Sequence, residues 1–431
     1  MKIRKEMRMT TQYHLSVCFY FKVFLLLLFF FYITQKPCFA DETSREQSLP
    51  IKNSRGDYTV ACFYFPNYHV DKRNEKVHGQ NWTEWELVKN AKPRFSGHQQ
   101  PKVPLWGYVD EADPKVMEKK IDAAAEHGID VFLFDWYWYN DGPFLQRCLD
   151  EGYLKARNHN RVRFAVMWAN HTWLNIHPAS LDTVQSSPVL YPGEVTPETF
   201  EQITDYVIDK YFLDSAHWTI HGKPVFSIYE IHTFVDGIGG LENAKKALDN
   251  FQKKAIDKGF PGVHINVVNV ENRMPKCVVG KMTPAELIRY LNIDSVTSYA
   301  WVLDTPLNNF PETPYSEVAS RFDKIWLERS QQFGVPYFPN VSMGWDSSPR
   351  CNQSDPFQNK GYPFTPILSG NTPEQFQSAL EKCRAFLDST PICNKTLTIN
   401  AWNEWTEGSY LEPDTNHGYA YLEAIKNVFG K

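Results

Sequence analysis

Two glutamates three positions apart, Glu404 and Glu407, stand in the run Trp402-Asn403-Glu404-Trp405-Thr406-Glu407-Gly408. Close carboxyls sheltered from water do not both ionise readily. One stays charged, while apolar neighbours and the like charge hold the other protonated. An acid and a base side by side are what breaking a glycosidic bond requires. The plain alternative is structural, one Glu pairing with an Arg at the rim of the fold. The surroundings argue against it: aromatics, which stack on sugar rings, recur with Asn and carboxylates at the ends of other apolar runs.

Those run ends supply the expected substrate-binding residues. They are Tyr64 and His69 after the first run, with Trp85 in the loop beyond, then Asp135 and Trp138 after the second. Trp168, Asn170 and Trp173 follow the third, Tyr229 the fourth, Trp345 the seventh, and Trp402, Asn403 and Trp405 the eighth. The sixth adds Tyr299 and Trp301. Asp135 ends an apolar run where an unpaired carboxylate would be costly in a core, which assigns it to a site. His69 and His98 suit hydroxyl binding and a structural role equally. Asp346 and Arg350 read as a rim ion pair, and Asp71-Lys72-Arg73-Asn74-Glu75-Lys76 as a solvated loop. No dense His/Asp/Glu ligand set appears, so neither metal nor cofactor is expected.

The elements that must position these groups alternate. Apolar, β-branched or aromatic runs lie at 58–65, 129–136, 162–168, 224–229, 263–270, 293–300, 335–342 and 396–402. Amphipathic stretches lie near 114–127, 143–157, 197–212, 241–258, 283–291, 314–332, 373–387 and 418–428. Asp113-Pro114, Thr196-Pro197, Thr283-Pro284 and Thr372-Pro373 each set a cap residue before a Pro suited to the first helical position. Near-continuous apolar strands, each followed by a helix, predict one α/β domain, a (β/α)8 TIM barrel over 58–431. An open doubly wound sheet is the rival, but no Gly-x-Gly-x-x-Gly follows the first strand. The loops after strands one (66–113) and seven (343–372) are long, as functional loops often are.

Composition narrows the partners. The 431 residues carry a net −5; the first forty hold six basic groups and one acid, leaving −10 on the rest. An acidic body argues against nucleic acid. Aromatics are 15%, and none of the 13 Trp falls in the first forty residues, which suits an oligosaccharide or polysaccharide partner. Oligomeric state is not legible.

The leader has a basic start, the apolar run Val23–Ile33, and Cys38-Phe39-Ala40 before Asp41. That layout predicts a secretory signal peptide over 1–40 and a polar tether over 41–57. An uncleaved type II anchor, with membrane contact only in that case, is the alternative. The protein is therefore expected to be secreted or lumenal. Cys62, Cys148, Cys277, Cys351, Cys383 and Cys393 follow the leader without a Cys-x-x-Cys pair. Export favours some disulfides, and Cys383–Cys393 would close a short loop. Sequons for glycosylation lie at Asn81, Asn170, Asn340, Asn352 and Asn394.

Phe63–His69, Gly79–Trp85, Ala91–Pro104, Trp168–Trp173 and Ile399–Asp414 together resemble the WbsX-like family, also labelled glycoside hydrolase family 99-like. The resemblance runs from about 58 to 428 and implies a (β/α)8 barrel. The Glu-x-x-Glu segment is similar to that of the family 99 endo-α-mannosidases. It implies Glu404 as base toward a substrate 2-hydroxyl and Glu407 as acid/base at the leaving oxygen. The outcome would be retention through a 1,2-anhydro sugar, the alternative being a covalent glycosyl-enzyme. Outside that segment the match is thin, so the α-mannoside-like substrate transfers weakly. Members placed in polysaccharide assembly carry a glycosyltransferase label, which stays open as an alternative alongside glycan binding without turnover.

Overall fold

The computed structural model describes residues 58–268, 270, 273–390 and 394–430. The leader and tether expected over 1–57 lie outside the described residues, as does Cys393.

Eight parallel strands form a barrel. They are β1 (Tyr58–Tyr64), β2 (Val131–Tyr139), β3 (Arg163–Trp168), β4 (Lys223–Ile228), β5 (His264–Val268), β6 (Ser295–Thr297), β7 and β8 (Lys395–Asn400). Strand β7 comes in two pieces, Tyr337–Phe338 and Asn340–Ser342, on either side of Pro339. Its first piece pairs with β6 and its second with β8, while β8 pairs with β1, so the ring closes. The fold is the TIM barrel expected, with helices between the strands.

Four helices begin where the sequence marks them. Asp113, Thr196, Thr283 and Thr372 each accept a backbone N–H of the first turn, ahead of Pro114, Pro197, Pro284 and Pro373. Thr283 completes a reciprocal pair with Glu286. The helix expected over 143–157 is not formed. Gly142–Phe144 instead folds back as a strand on β2, and one wide i→i+5 turn covers Cys148–Tyr153.

Side chains alternate across each strand, and the alternation divides two cores. Val60, Cys62, Tyr64, Phe132, Phe134, Trp136, Trp138, Phe164, Val166 and Trp168 point outward to the helix layer. Ala61, Phe63, Val131, Leu133, Tyr137, Ala165 and Met167 point into the barrel.

The five described cysteines are free thiols, all buried but Cys277, so no described pair forms a disulfide. Asn170 and Asn340 are fully buried and hydrogen-bonded, which removes both as glycan acceptors in the folded chain. No helix among the described residues is long and apolar enough to cross a membrane.

Candidate active site

At the C-terminal ends of the strands lies a cavity of about 760 Å³, the place where barrels of this kind carry their chemistry. Glu404 and Glu407 both line it, with Asp135, Trp173, Tyr229 and Trp345 from the expected set. Tyr137, His171, His177, Tyr299, Arg350 and Tyr362 also line it.

Arg350 is the organising cation. It lies on a short turn, Ser348–Arg350, within the long loop after β7. Its Nη1 donates to Glu407 Oε1 at 2.5 Å and its Nη2 to Glu404 Oε1 at 3.2 Å, while Nε donates to Glu84 at 2.9 Å. The expected ion pair with Asp346 does not form. Asp346 accepts instead from His98 at 2.8 Å and from Gln100 at 2.7 Å. Burial raises the Asp346 carboxyl pKa, but His98, Ser348 and Gln100 together outweigh it and hold the pKa below its ordinary value.

Burial pushes Glu404 well above the usual carboxylate range, and the like charges of Glu407 and Asp135 add to it against the pull of Arg350 and Tyr299. Burial also raises Glu407, opposed by Arg350 and by the Tyr362 hydroxyl, which donates to Oε1 at 2.6 Å. Glu84 behaves oppositely. Its burial is outweighed by Arg350, His177 and Thr406 together, so its pKa is held below the ordinary value. Two raised carboxyls thus share one cation in one wall of the cavity.

Tyr299, two residues past β6, sets its hydroxyl oxygen 2.6 Å from Glu404 Oε2 and 2.9 Å from Asp135 Oδ2. Trp173 stacks on His177 at 5.2 Å, and Tyr229 meets Tyr299 edge-on at 5.4 Å. Trp345 donates to Thr365 at 3.2 Å.

The other expected binders sit away from the cavity wall. Tyr64, Trp138, Trp168 and Trp402 belong to the outer layer: Tyr64 donates to Glu111 at 2.9 Å, and Trp168 donates to the Trp138 carbonyl at 3.2 Å. Trp402 packs on Phe132 at 5.0 Å, and Trp138 on Tyr206 at 5.1 Å. Asn170 clamps the Glu230 backbone, accepting from its N–H and donating to its carbonyl, both at 2.8 Å. His69 is buried away from the cavity, and burial lowers its pKa to about 3, which keeps the ring neutral.

Asn403, Trp405 and Trp85 support the glutamates from behind. Asn403 accepts from the Phe65 N–H at 2.8 Å and donates to Glu111 at 2.7 Å. Trp405 stacks on Tyr410 at 3.8 Å and donates to Glu412 at 2.8 Å. Trp85 leans on Trp405 and donates to the Val109 carbonyl at 2.8 Å. Buried Lys120 closes this support, 2.5 Å from both Glu111 and Glu412. Gly408 ends the segment at φ +61, and a Cβ there would meet Asp346 Cβ at 2.7 Å, so a glycine is required.

Sequence reasoning missed Tyr362 and His177, and it gave Arg350 the wrong partner. Arg350, Tyr362 and Trp345 all ride on the long loop that was flagged for its length.

Barrel and cavity give the chain a glycoside-hydrolase-like fold, with two carboxyls in the wall of one site. Residues 60–425 match the family described as Glycosyltransferase WbsX, and the chain belongs to that family. It is 24% identical over 379 residues to the uncharacterized protein WxcX of Xanthomonas campestris pv. campestris, covering 86% of this chain and 49% of that protein. The chain thus spans about half the length of the curated relatives it matches. In structure it is similar to a GH99 endo-α-mannosidase of Bacteroides thetaiotaomicron, with TM-score 0.51, 13% identity, and coverage of 86% and 96% of the two chains. A glycoside hydrolase-like protein gives TM-score 0.52 at 17% identity, covering 90% of this chain and 98% of its own. At such identities the likeness speaks for the fold.

Proposed function

We propose that this chain is a retaining glycoside hydrolase acting on α-mannoside-like glycans, with Glu404 and Glu407 as its two reacting carboxyls. The observation that carries the reading is that both carboxyls line one cavity and share Arg350, at 3.2 and 2.5 Å. In the scheme, Glu404 takes the proton of the sugar 2-hydroxyl, and that oxygen attacks the anomeric carbon. Glu407 gives its proton to the departing glycosidic oxygen. Water then opens the 1,2-anhydro sugar as Glu407 takes a water proton and Glu404 returns its own, so the anomeric configuration is retained. Trp173, Tyr229 and Trp345 supply flat faces and hydroxyl partners for the rings.

The test is hydrolysis of an α-mannan and N-glycan panel by wild type, Glu404→Gln and Glu407→Gln, with product anomers followed by NMR. An α-product from wild type, lost in both variants, is expected. The family description favours a second reading, sugar transfer from an activated donor. Transfer from a nucleotide sugar without hydrolysis of any glycan would replace the first reading with it.

A further inference from the structure

The Tyr299 hydroxyl oxygen lies 2.9 Å from Asp135 Oδ2 and 2.6 Å from Glu404 Oε2. A phenol has one proton to donate, and an ionised carboxylate is an acceptor only. Both contacts are full two-centre hydrogen bonds, rather than one proton shared between two acceptors, only if one of the two carboxyls brings a proton of its own. The surroundings decide which. Glu404 has a cation at its other oxygen, since Arg350 Nη2 reaches Oε1 at 3.2 Å. Asp135 has no such help: its Oδ1 is buried without a hydrogen-bond partner among the described residues. An ionised Asp135 would leave that oxygen uncompensated, which is far more costly than a neutral carbonyl there.

We propose that Asp135 is held as a neutral acid that donates to the Tyr299 oxygen, turning the Tyr299 hydroxyl toward Glu404 and keeping that carboxylate charged. The direction agrees with burial, which pushes the Asp135 carboxyl well above its usual range against the Tyr299 hydrogen bond, with Glu407 adding to the rise. The groups facing it are Cys62, Tyr137, Tyr229, Tyr299, Arg350, Glu404 and Glu407. Of these only Arg350 is a cation, and it is engaged by Glu84, Glu404 and Glu407. A neutral Asp135 also removes one of the like charges that raise Glu404. Asp135 is thus a positioning residue acting through Tyr299, and this assignment rests on Glu404 being the base.

The experiment has two arms. Infrared difference spectra between wild type and Asp135→Asn, on protein isotopically labelled at its aspartate carboxyls and held at neutral pH, read protonation without any substrate. A protonated-acid band that belongs to Asp135 is expected; its absence overturns the proposal whatever the enzyme acts on. In the kinetic arm the Asn amide can still donate to Tyr299, whereas Leu cannot. Asp135→Asn is expected to retain at least about ten times the kcat/KM of Asp135→Leu. The acidic limb of the pH–rate profile is expected to move upward in Asp135→Leu and Tyr299→Phe, and less in Asp135→Asn. Equal damage in Asn and Leu variants overturns the proposal. If no glycan is turned over, the hydrolase reading fails while the infrared arm still decides the proton.

Discussion

Arg350 meets Glu407 at 2.5 Å, reaching from a loop 57 residues earlier in the chain to the segment that follows β8. A cation so placed neutralises part of a site that holds Glu84, Glu404 and Glu407 within its reach. It also ties the long loop to the segment carrying Glu404 and Glu407, so the shape of the cavity and the charge of its carboxyls depend on one side chain.

Arg350→Met therefore strands three buried carboxyls. We expect a loss of about 3–5 kcal/mol of stability, as for removal of one partner of a buried pair. Urea denaturation checks it. Lys in its place should recover only part of the loss, because one ammonium cannot reproduce the forked contacts to Glu84, Glu404 and Glu407.

Lys120 bridges Glu111 and Glu412, each at 2.5 Å, beneath Asn403 and Trp405. Lys120→Met should cost about 3–5 kcal/mol. It should also lower kcat more than it raises KM, because Glu404 sits between the two residues this cluster holds. Denaturation and steady-state kinetics on the same samples separate the two effects.

Acid sensitivity should be visible in His217, which is buried and whose pKa burial lowers to about 3. The unfolded chain binds a proton there below about pH 6.5 and the folded chain does not. Its contribution to stability is complete above pH 6.5 and is lost as pH falls toward about 3. Melting temperatures from pH 7 to pH 4 should drop less steeply in His217→Gln than in wild type.

Gly408→Ala places a Cβ 2.7 Å from Asp346 Cβ at a backbone angle that L-residues rarely adopt. More than about 1–2 kcal/mol should be lost from the backbone conformation alone. Activity should fall further, because Asp346 N–H is bonded to the Glu407 carbonyl at 2.5 Å. Thermal melts and kcat measured together test the point.

The barrel was legible because its strands are buried on both faces and read as unbroken apolar runs, and because Thr-Pro and Asp-Pro pairs mark helix starts. Residues 143–157 misled because their apolar side chains pack from a turn rather than a helix. The site was only half legible, and alternation explains why. In β2, Asp135 and Tyr137 face the barrel while Trp136 and Trp138 face the helices. Applying the two-residue period to each strand end would have set aside Tyr64, Trp138 and Trp168. Arg350 and Tyr362 had no such signal, since irregular loops carry no period to read.

Strand β7 changes partner at Pro339, so the ring is joined there by two short ladders, to β6 and to β8, rather than by one continuous strand. A cylinder has no edge, but it can have a seam. Its ladders hold two and three residue pairs, against six between β2 and β3, so hydrogen–deuterium exchange should enter here before it reaches β2 or β3. Because Ser342 leads directly into the loop carrying Arg350, such breathing loosens the site's own cation first.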